Sequence, residues 1–183
     1  MKGLKQQIET ERAEKDRFFK FHPQSPLPLT KRAAFTGLAY YPVNAGLRFE
    51  LELHEHNEKR RIEIQDSKGG AREFIRWGEF RFEINGKEYT LQVYKSGQGE
   101  ETFWVPFKDK TSGKETYGAG RYIDLEPSRH KISKEKWILD FNQAYNPFCA
   151  YSEDYVCPFI PPENWLESEI KAGEKYSSPE RKS

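Results

Sequence analysis

The sequence predicts a mainly β protein, a single antiparallel β-barrel or sandwich of about eight or nine strands with an N-terminal α-helix. Three observations predict it. From Leu47 onward apolar residues alternate with polar ones, as Leu47, Phe49, Leu51 and Leu53 do with Arg48, Glu50, Glu52 and His54, which is the period of a half-buried strand. Asn85-Gly86 separates two such alternating runs, and a pair of residues tolerant of positive φ at that point is a strong hairpin signal. Phe, Tyr and Trp make up 15% of the 183 residues, enough large rings to fill a β core.

The elements follow in order. Residues 4–20 carry Leu4, Ile8, Glu11, Lys15, Phe18 and Phe19 among charges, a helical spacing that predicts a surface helix docked by one narrow stripe. His22 to Leu29, HPQSPLPL, contains three prolines, which end the helix and predict an extended connector over 22–34. Alternation then predicts strands at 47–53, 61–65, 73–77, 80–84 and 89–93, with a turn at 67–70. Further strands are expected at 102–107, 121–125, 137–142 and 165–172. Such a sheet must hide its edges, so closure into a barrel is the favoured arrangement. The polar residues 176–183 are expected to be a disordered tail.

A chain of 183 residues falls in the range of one domain and can bury a core without disulfides. With 30 Lys and Arg against 29 Asp and Glu, the formal net charge is +1, so no global field favours nucleic acid or an anionic membrane as partner. The N-terminus, MKGLKQQIETERAEKDRFF, has no apolar leader and no run in the chain is long enough to span a bilayer, which predicts a soluble cytoplasmic protein. Two cysteines are too few for a disulfide scaffold and in a reducing compartment remain thiols.

The stretch from Pro106 to Lys175 breaks the alternation and concentrates polar side chains. Gly118 and Gly120 lie between two cations, Lys114 and Arg121, an arrangement able to form an anion-binding nest, though a bend relieved by glycine with Arg121 paired to a carboxylate is the favoured reading. It is neither a phosphate-binding loop nor a dinucleotide fingerprint. Lys108 stands where the loop needs its first glycine, Glu115 where it needs Ser or Thr, and Ile123 at the third glycine of the fingerprint. Asp140 and Asn142 share one face of a predicted strand and point toward Tyr145 and Asn146; such a group could perform acid–base chemistry or cap a turn. Glu163 and Asn164 after Pro161-Pro162 carry the same two readings.

Cys149 and Cys157 admit a local disulfide, a nucleophilic thiolate lacking a nearby histidine, a zinc site completed by His54 and His56, or two small buried hydrophobes. The wide spacing of the cysteines argues against the metal, and no metal is assigned. His22 and His130 are read as surface residues.

The segments PFKDKTSGKETYGAGRYIDLE, LDFNQAYNPFCAY, CPFIPPEN and IKAGEK resemble the signature of the domain of unknown function 1684 family of bacteria and archaea. RAEKDRFFKFHPQSPLP and FTGLAYYP resemble that family's opening, so the likeness runs over roughly 11–175. Some members look like lipoproteins or secreted proteins, whose leader this N-terminus lacks. The resemblance carries over no established activity, and the cofactor is unknown. It marks Lys114, Glu115, Thr116, Tyr117, Gly118, Gly120, Arg121, Asp140, Asn142, Tyr145, Asn146, Cys149, Tyr151, Cys157, Glu163 and Asn164 as signature positions, and leaves His54 and His56 outside.

Three functions compete on this reading. The first is a barrel mouth where Tyr117, Arg121, Asp140, Asn142 and Tyr145 bind, or hydrolyse, a polar or anionic small molecule. The second is a structural or interaction protein whose polar segment only closes the barrel. The third is a thiol or metal protein using Cys149 and Cys157.

Overall fold

In the computed structural model, which describes residues 2–176, the alternating runs become seven antiparallel strands. They are β1 (Arg48–Glu52), β2 (His54–Gln65), β3 (Ala71–Ile84), β4 (Lys87–Lys95), β5 (Phe103–Phe107), β6 (Arg121–Leu125) and β7 (Lys136–Asp140). β2 to β6 form one sheet in sequence order, and β1 pairs with β7 in a second. Among the described residues no hydrogen-bonded ladder joins the two sheets, so the strands do not form a closed barrel.

The Asn85-Gly86 turn is where the sequence placed it. Asn85 has φ 52° and Gly86 φ 78°, and Ile84 pairs with Lys87 across it. The two runs expected at 73–77 and 80–84 are one strand, β3, that continues through a register shift between Arg76 and Gly78. Gly78 permits this because a Cβ there would stand 2.7 Å from the His54 carbonyl, and an extra residue in a bulge re-aims the strand without ending it.

The segment 165–172 is not a strand. It runs beside residues 108–110, with the Leu166 amide donating to the Lys108 carbonyl at 2.7 Å and the Lys110 amide to the Ser168 carbonyl at 2.9 Å. Its apparent alternation arises because Leu166, Ile170 and Ala172 all enter the core.

That core lies between the sheets. Phe80 and Phe82 of β3, Leu91 and Val93 of β4, Val105 and Phe107 of β5, Ile123 and Leu125 of β6 and Leu139 of β7 meet there. Phe141, fully buried just after β7, touches Phe49, Phe82 and Phe107 edge-on or tilted. A smaller group, Ile64, Phe74 and Tyr94 with Trp104, packs separately.

Helix α1 (Lys2–Phe21) docks through Ile8 and Phe19, both essentially inaccessible. In the proline-rich connector, expected to be extended, residues Leu29–Arg32 make one short helical turn, α2, behind Pro28. Arg32 holds it by donating to the carbonyls of His22, Ser25 and Leu27 at 3.0–3.2 Å. A third short helix, α3 (Pro127–His130), connects β6 toward β7. Of the tail expected at 176–183, all but Tyr176 lies outside the described residues. Among the described residues no helix is long and apolar enough to cross a membrane.

Candidate functional site

Arg121 opens β6 on the face it shares with Ile123 and Leu125, and it is 0% exposed. One terminal nitrogen donates to the Ala172 carbonyl at 2.5 Å and the Glu174 carbonyl at 3.2 Å, the other to the Ile170 carbonyl at 2.8 Å and Asp109 at 3.5 Å. Its guanidinium also covers the Phe107 ring. Burial pushes its pKa below the ordinary arginine value, opposed by the Asp109 charge. Lys114, by contrast, lies exposed in the turn after β5. The two cations therefore do not bracket Gly118 and Gly120 as an anion nest.

The other expected residues are also engaged within the protein. Asp140 accepts from the Asn142 amide at 2.9 Å and its side chain at 2.8 Å, capping the turn at Phe141–Gln143. Asn142 accepts from the Asn44 amide and donates to the Asn44 carbonyl. Asn146 donates to the Tyr151 hydroxyl and the Lys175 carbonyl, while Tyr151 and the Asn146 amide both donate to buried Glu174. Glu163 accepts from the Tyr94 hydroxyl and pairs with Arg76. The fully buried Asn164 bonds to the backbone of β4 and β5. Glu115 accepts from Tyr41 and Thr116 meets Thr111.

Tyr145 and Asn142 both line an open space. That space is a cleft of about 230 Å³ between α1 and the strands. Arg12 and Lys15 enter it from α1, Tyr40 from the segment between the connector and β1, Asp124 from β6, His130 from α3 and Glu174 from the closing segment. Lys15 pairs with Glu174 and lies 4.9 Å over the Tyr145 ring. The Tyr145 hydroxyl donates to Asp124 at 2.6 Å. Asp124 keeps an open side, yet the protein around it raises its carboxyl above the ordinary range, against the Tyr145 hydrogen bond.

His130, expected at the surface, is buried. The Glu126 amide donates to its Nδ1 at 2.9 Å, so Nε2 carries the proton and donates to Gln143 at 3.0 Å. Gln143 in turn donates to Glu11, which also receives Arg129.

Arg12, like Arg121 at Nε and Asn146 at Oδ1, keeps buried polar atoms without a hydrogen-bond partner. Its Nη1 donates to the Tyr41 carbonyl at 2.9 Å and its guanidinium stacks 4.4 Å over the Tyr40 ring. Its Nε and Nη2, and the Tyr40 hydroxyl, are buried with no hydrogen-bond partner. Burial lowers the Arg12 pKa and raises that of Tyr40 well above its ordinary value. Sequence reasoning missed this pair. The signal available was on α1, where Arg12 and Lys15 occupy the stripe from Ile8 to Phe19 that should be apolar in a docked helix.

Tyr117 lies near the cysteines, its hydroxyl 3.9 Å from Cys149 Sγ. Cys149 and Cys157 are both free and half-buried. The zinc reading fails on placement. His56 sits near the start of the 12-residue β2, bonded to Gln92 and Arg76, while Cys157 is fastened to Ser67 beyond the strand's other end. Among the described residues no group of three or more His, Cys, Asp or Glu is placed to hold a metal.

A family model described as protein of unknown function (DUF1684) matches residues 33–175. No curated protein matches the chain. Among solved structures, the solution NMR structure of an uncharacterized protein of Haloarcula marismortui, from gene locus rrnAC0354, is 36% identical. It superposes with a TM-score of 0.73 over 96% of this chain and 95% of that one.

Proposed function

The chain belongs to the DUF1684 family of proteins of unknown function, and we propose that it binds a small polar ligand bearing an anionic or carbonyl acceptor in the cleft beneath α1. One observation carries this reading. Arg12 Nε, Arg12 Nη2 and the Tyr40 hydroxyl are buried donors without protein partners, and both residues line the cleft. Leaving a buried donor unsatisfied costs about 1–3 kcal/mol, more when it is charged, and a ligand oxygen that reached these atoms through a side-chain shift of Arg12 or Tyr40 would remove that cost. Asp124 and Glu126 also line the cleft and suit a ligand that carries a donor as well. An apolar cavity of about 150 Å³ holds benzene, so this space takes a molecule of amino-acid or small-acid size.

Hydrolysis is not part of the proposal, which rests on the unpartnered donors of Arg12 and Tyr40. The polar segment containing Arg121 and Asn164 serves as scaffold on this reading: most of its hydrogen bonds are made within the protein, and Arg121 Nε and Asn146 Oδ1, which lack partners, do not line the cleft.

A panel of small carboxylates, phosphates and amino acids, titrated with thermal melting and amide NMR as readouts, tests it. At least one should raise the melting temperature in a concentration-dependent way and shift the amides near Arg12 and Tyr40. Tyr40→Phe, which removes an unsatisfied buried hydroxyl, should raise the unliganded stability by about 1 kcal/mol while weakening binding, and Arg12→Gln should weaken it about tenfold or more. A panel that shifts neither melting nor amides, or a ligand held equally well by both variants, would overturn the proposal.

A further inference from the structure

The charges that line the cleft beneath α1 are mostly spent on one another. Lys15 pairs with Glu174 Oε1, while Glu174 Oε2 accepts from the Asn146 amide at 2.8 Å and the Tyr151 hydroxyl at 3.1 Å. Arg129 is shared between Glu11 at 2.8 Å and Glu126 at 3.9 Å. Among the described residues, two charged side chains of the lining then remain without an ion pair, the cation of Arg12 and the carboxylate of Asp124.

Strand parity sets Asp124 and Glu126 on the face of the chain opposite Arg121, Ile123 and Leu125, because β6 runs extended into Glu126 at φ −90° and ψ 130°. Asp124 Oδ2 accepts from the Tyr145 hydroxyl at 2.6 Å, and no other donor among the described residues reaches the carboxylate. Asp124 is exposed, so its Oδ1 is free to accept. Lys15, one helical turn along α1 from Arg12, lies 4.9 Å over the Tyr145 ring. Arg12 and Asp124 thus border one space of about 230 Å³, yet do not pair with each other.

The balance of charge points the same way. The lining holds four carboxylates against three lysine and arginine cations, and the excess falls where Arg129 serves two carboxylates, one of them Glu126 beside Asp124. A ligand with a carboxylate alone would satisfy Arg12 and leave Asp124 unpaired in a cleft of net negative charge. A ligand that also carries an ammonium group answers both charges and adds none.

Resting on the reading of this cleft as a site for an anionic or carbonyl acceptor, we propose that its ligand is a small zwitterion, an amino acid with free amino and carboxyl groups. The carboxylate takes up the buried donors of Arg12 and Tyr40, and the ammonium group donates to Asp124 Oδ1.

Three pairs of compounds that differ by one ammonium group provide the test: glycine and acetate, β-alanine and propionate, γ-aminobutyrate and butyrate. Each is titrated into the full chain and followed by amide NMR. In at least one pair the amino acid should bind about fivefold tighter than the acid, the upper range for a partly exposed ion pair. It should shift the amides of Asp124 and Glu126 together with those of Arg12 and Tyr40. Asp124→Asn removes the charge, and should cut that preference below about twofold while the acid binds no more weakly. Acids that bind as tightly as their amino-acid counterparts, pairs that do not bind at all, or a preference that survives Asp124→Asn would overturn the zwitterion. The wider reading falls only if the Arg12 and Tyr40 amides respond to no carboxylate, phosphate or amino acid.

Discussion

The side-chain amide of Asn164 hydrogen-bonds the backbone of Gln92 in both directions, accepting its N–H at 2.8 Å and donating to its carbonyl at 2.9 Å. A further donation reaches the Pro106 carbonyl at 2.7 Å. β4 and β5 are paired at Tyr94 and Trp104; continued antiparallel, that register would set Gln92 opposite Pro106, which has no N–H to give. The Asn164 amide fills the missing rung. It was legible in the sequence as a turn former or a ligand contact, and it is a substitute for strand pairing.

Asn164→Ala should therefore destabilise the fold by about 3 kcal/mol, because one buried amide and two buried carbonyls lose their partner together. Asn164→Asp should do no better, since a carboxylate can accept the Gln92 N–H but offers nothing to the two carbonyls. Urea unfolding measures both, and an alanine variant within about 0.5 kcal/mol of the parent would refute the rung.

Gly118 and Gly120 should respond in opposite ways. Gly120 has φ 101°, and a Cβ there would lie 2.2 Å from Ile160 Cδ1 and 2.7 Å from the Phe107 carbonyl, which cannot swing aside. Gly120→Ala is expected to cost at least about 2 kcal/mol. At Gly118 the nearest atom would be 3.6 Å away and the backbone is not left-handed, so Gly118→Ala should be neutral or slightly stabilising. Equal melting temperatures for the two variants would contradict this.

Arg121 grips carbonyls of residues 170, 172 and 174, on either side of the bend at which Gly173 takes φ 76°. Arg121→Lys keeps the charge and loses the planar fork. The expected result is a loss of about 2–4 kcal/mol, with amide exchange at 170–174 accelerating more than exchange in β3. Unchanged protection of that segment would show that the fork is not what holds it.

Tyr94, Tyr122, Tyr145 and Tyr151 have pKa values raised chiefly by burial. Below about pH 10 their phenols are neutral in the folded and unfolded chains alike, so they add no pH dependence. Above that, the unfolded chain releases protons first, and stability should fall with rising pH by up to about 1.4 kcal/mol per unit for each phenol. Urea midpoints at pH 8 and 9 should agree as far as these groups are concerned, and the midpoint at pH 11 should be clearly lower. A midpoint that holds at pH 11 would mean the phenols ionise in place.

By itself the sequence determined what local rules govern. Period-two alternation marked β1 to β7 to within a few residues, apart from the first half of β2, and matched β6 at both ends, because the face a side chain takes on a strand depends only on parity. Asn85-Gly86 marked its hairpin because the positive φ is a property of those two residues. Parity even placed Arg121 on the face of Ile123 and Leu125. Only the tertiary structure decided what these groups meet. Arg121 finds its acceptors about 50 residues away, Asn164 replaces a rung in strands 58 and 72 residues earlier, and Arg12 stacks on Tyr40 across a proline-rich connector. The reason is physical: a backbone conformation is selected by the residues beside it, whereas a buried polar side chain takes whichever partner the packed core leaves within about 3 Å.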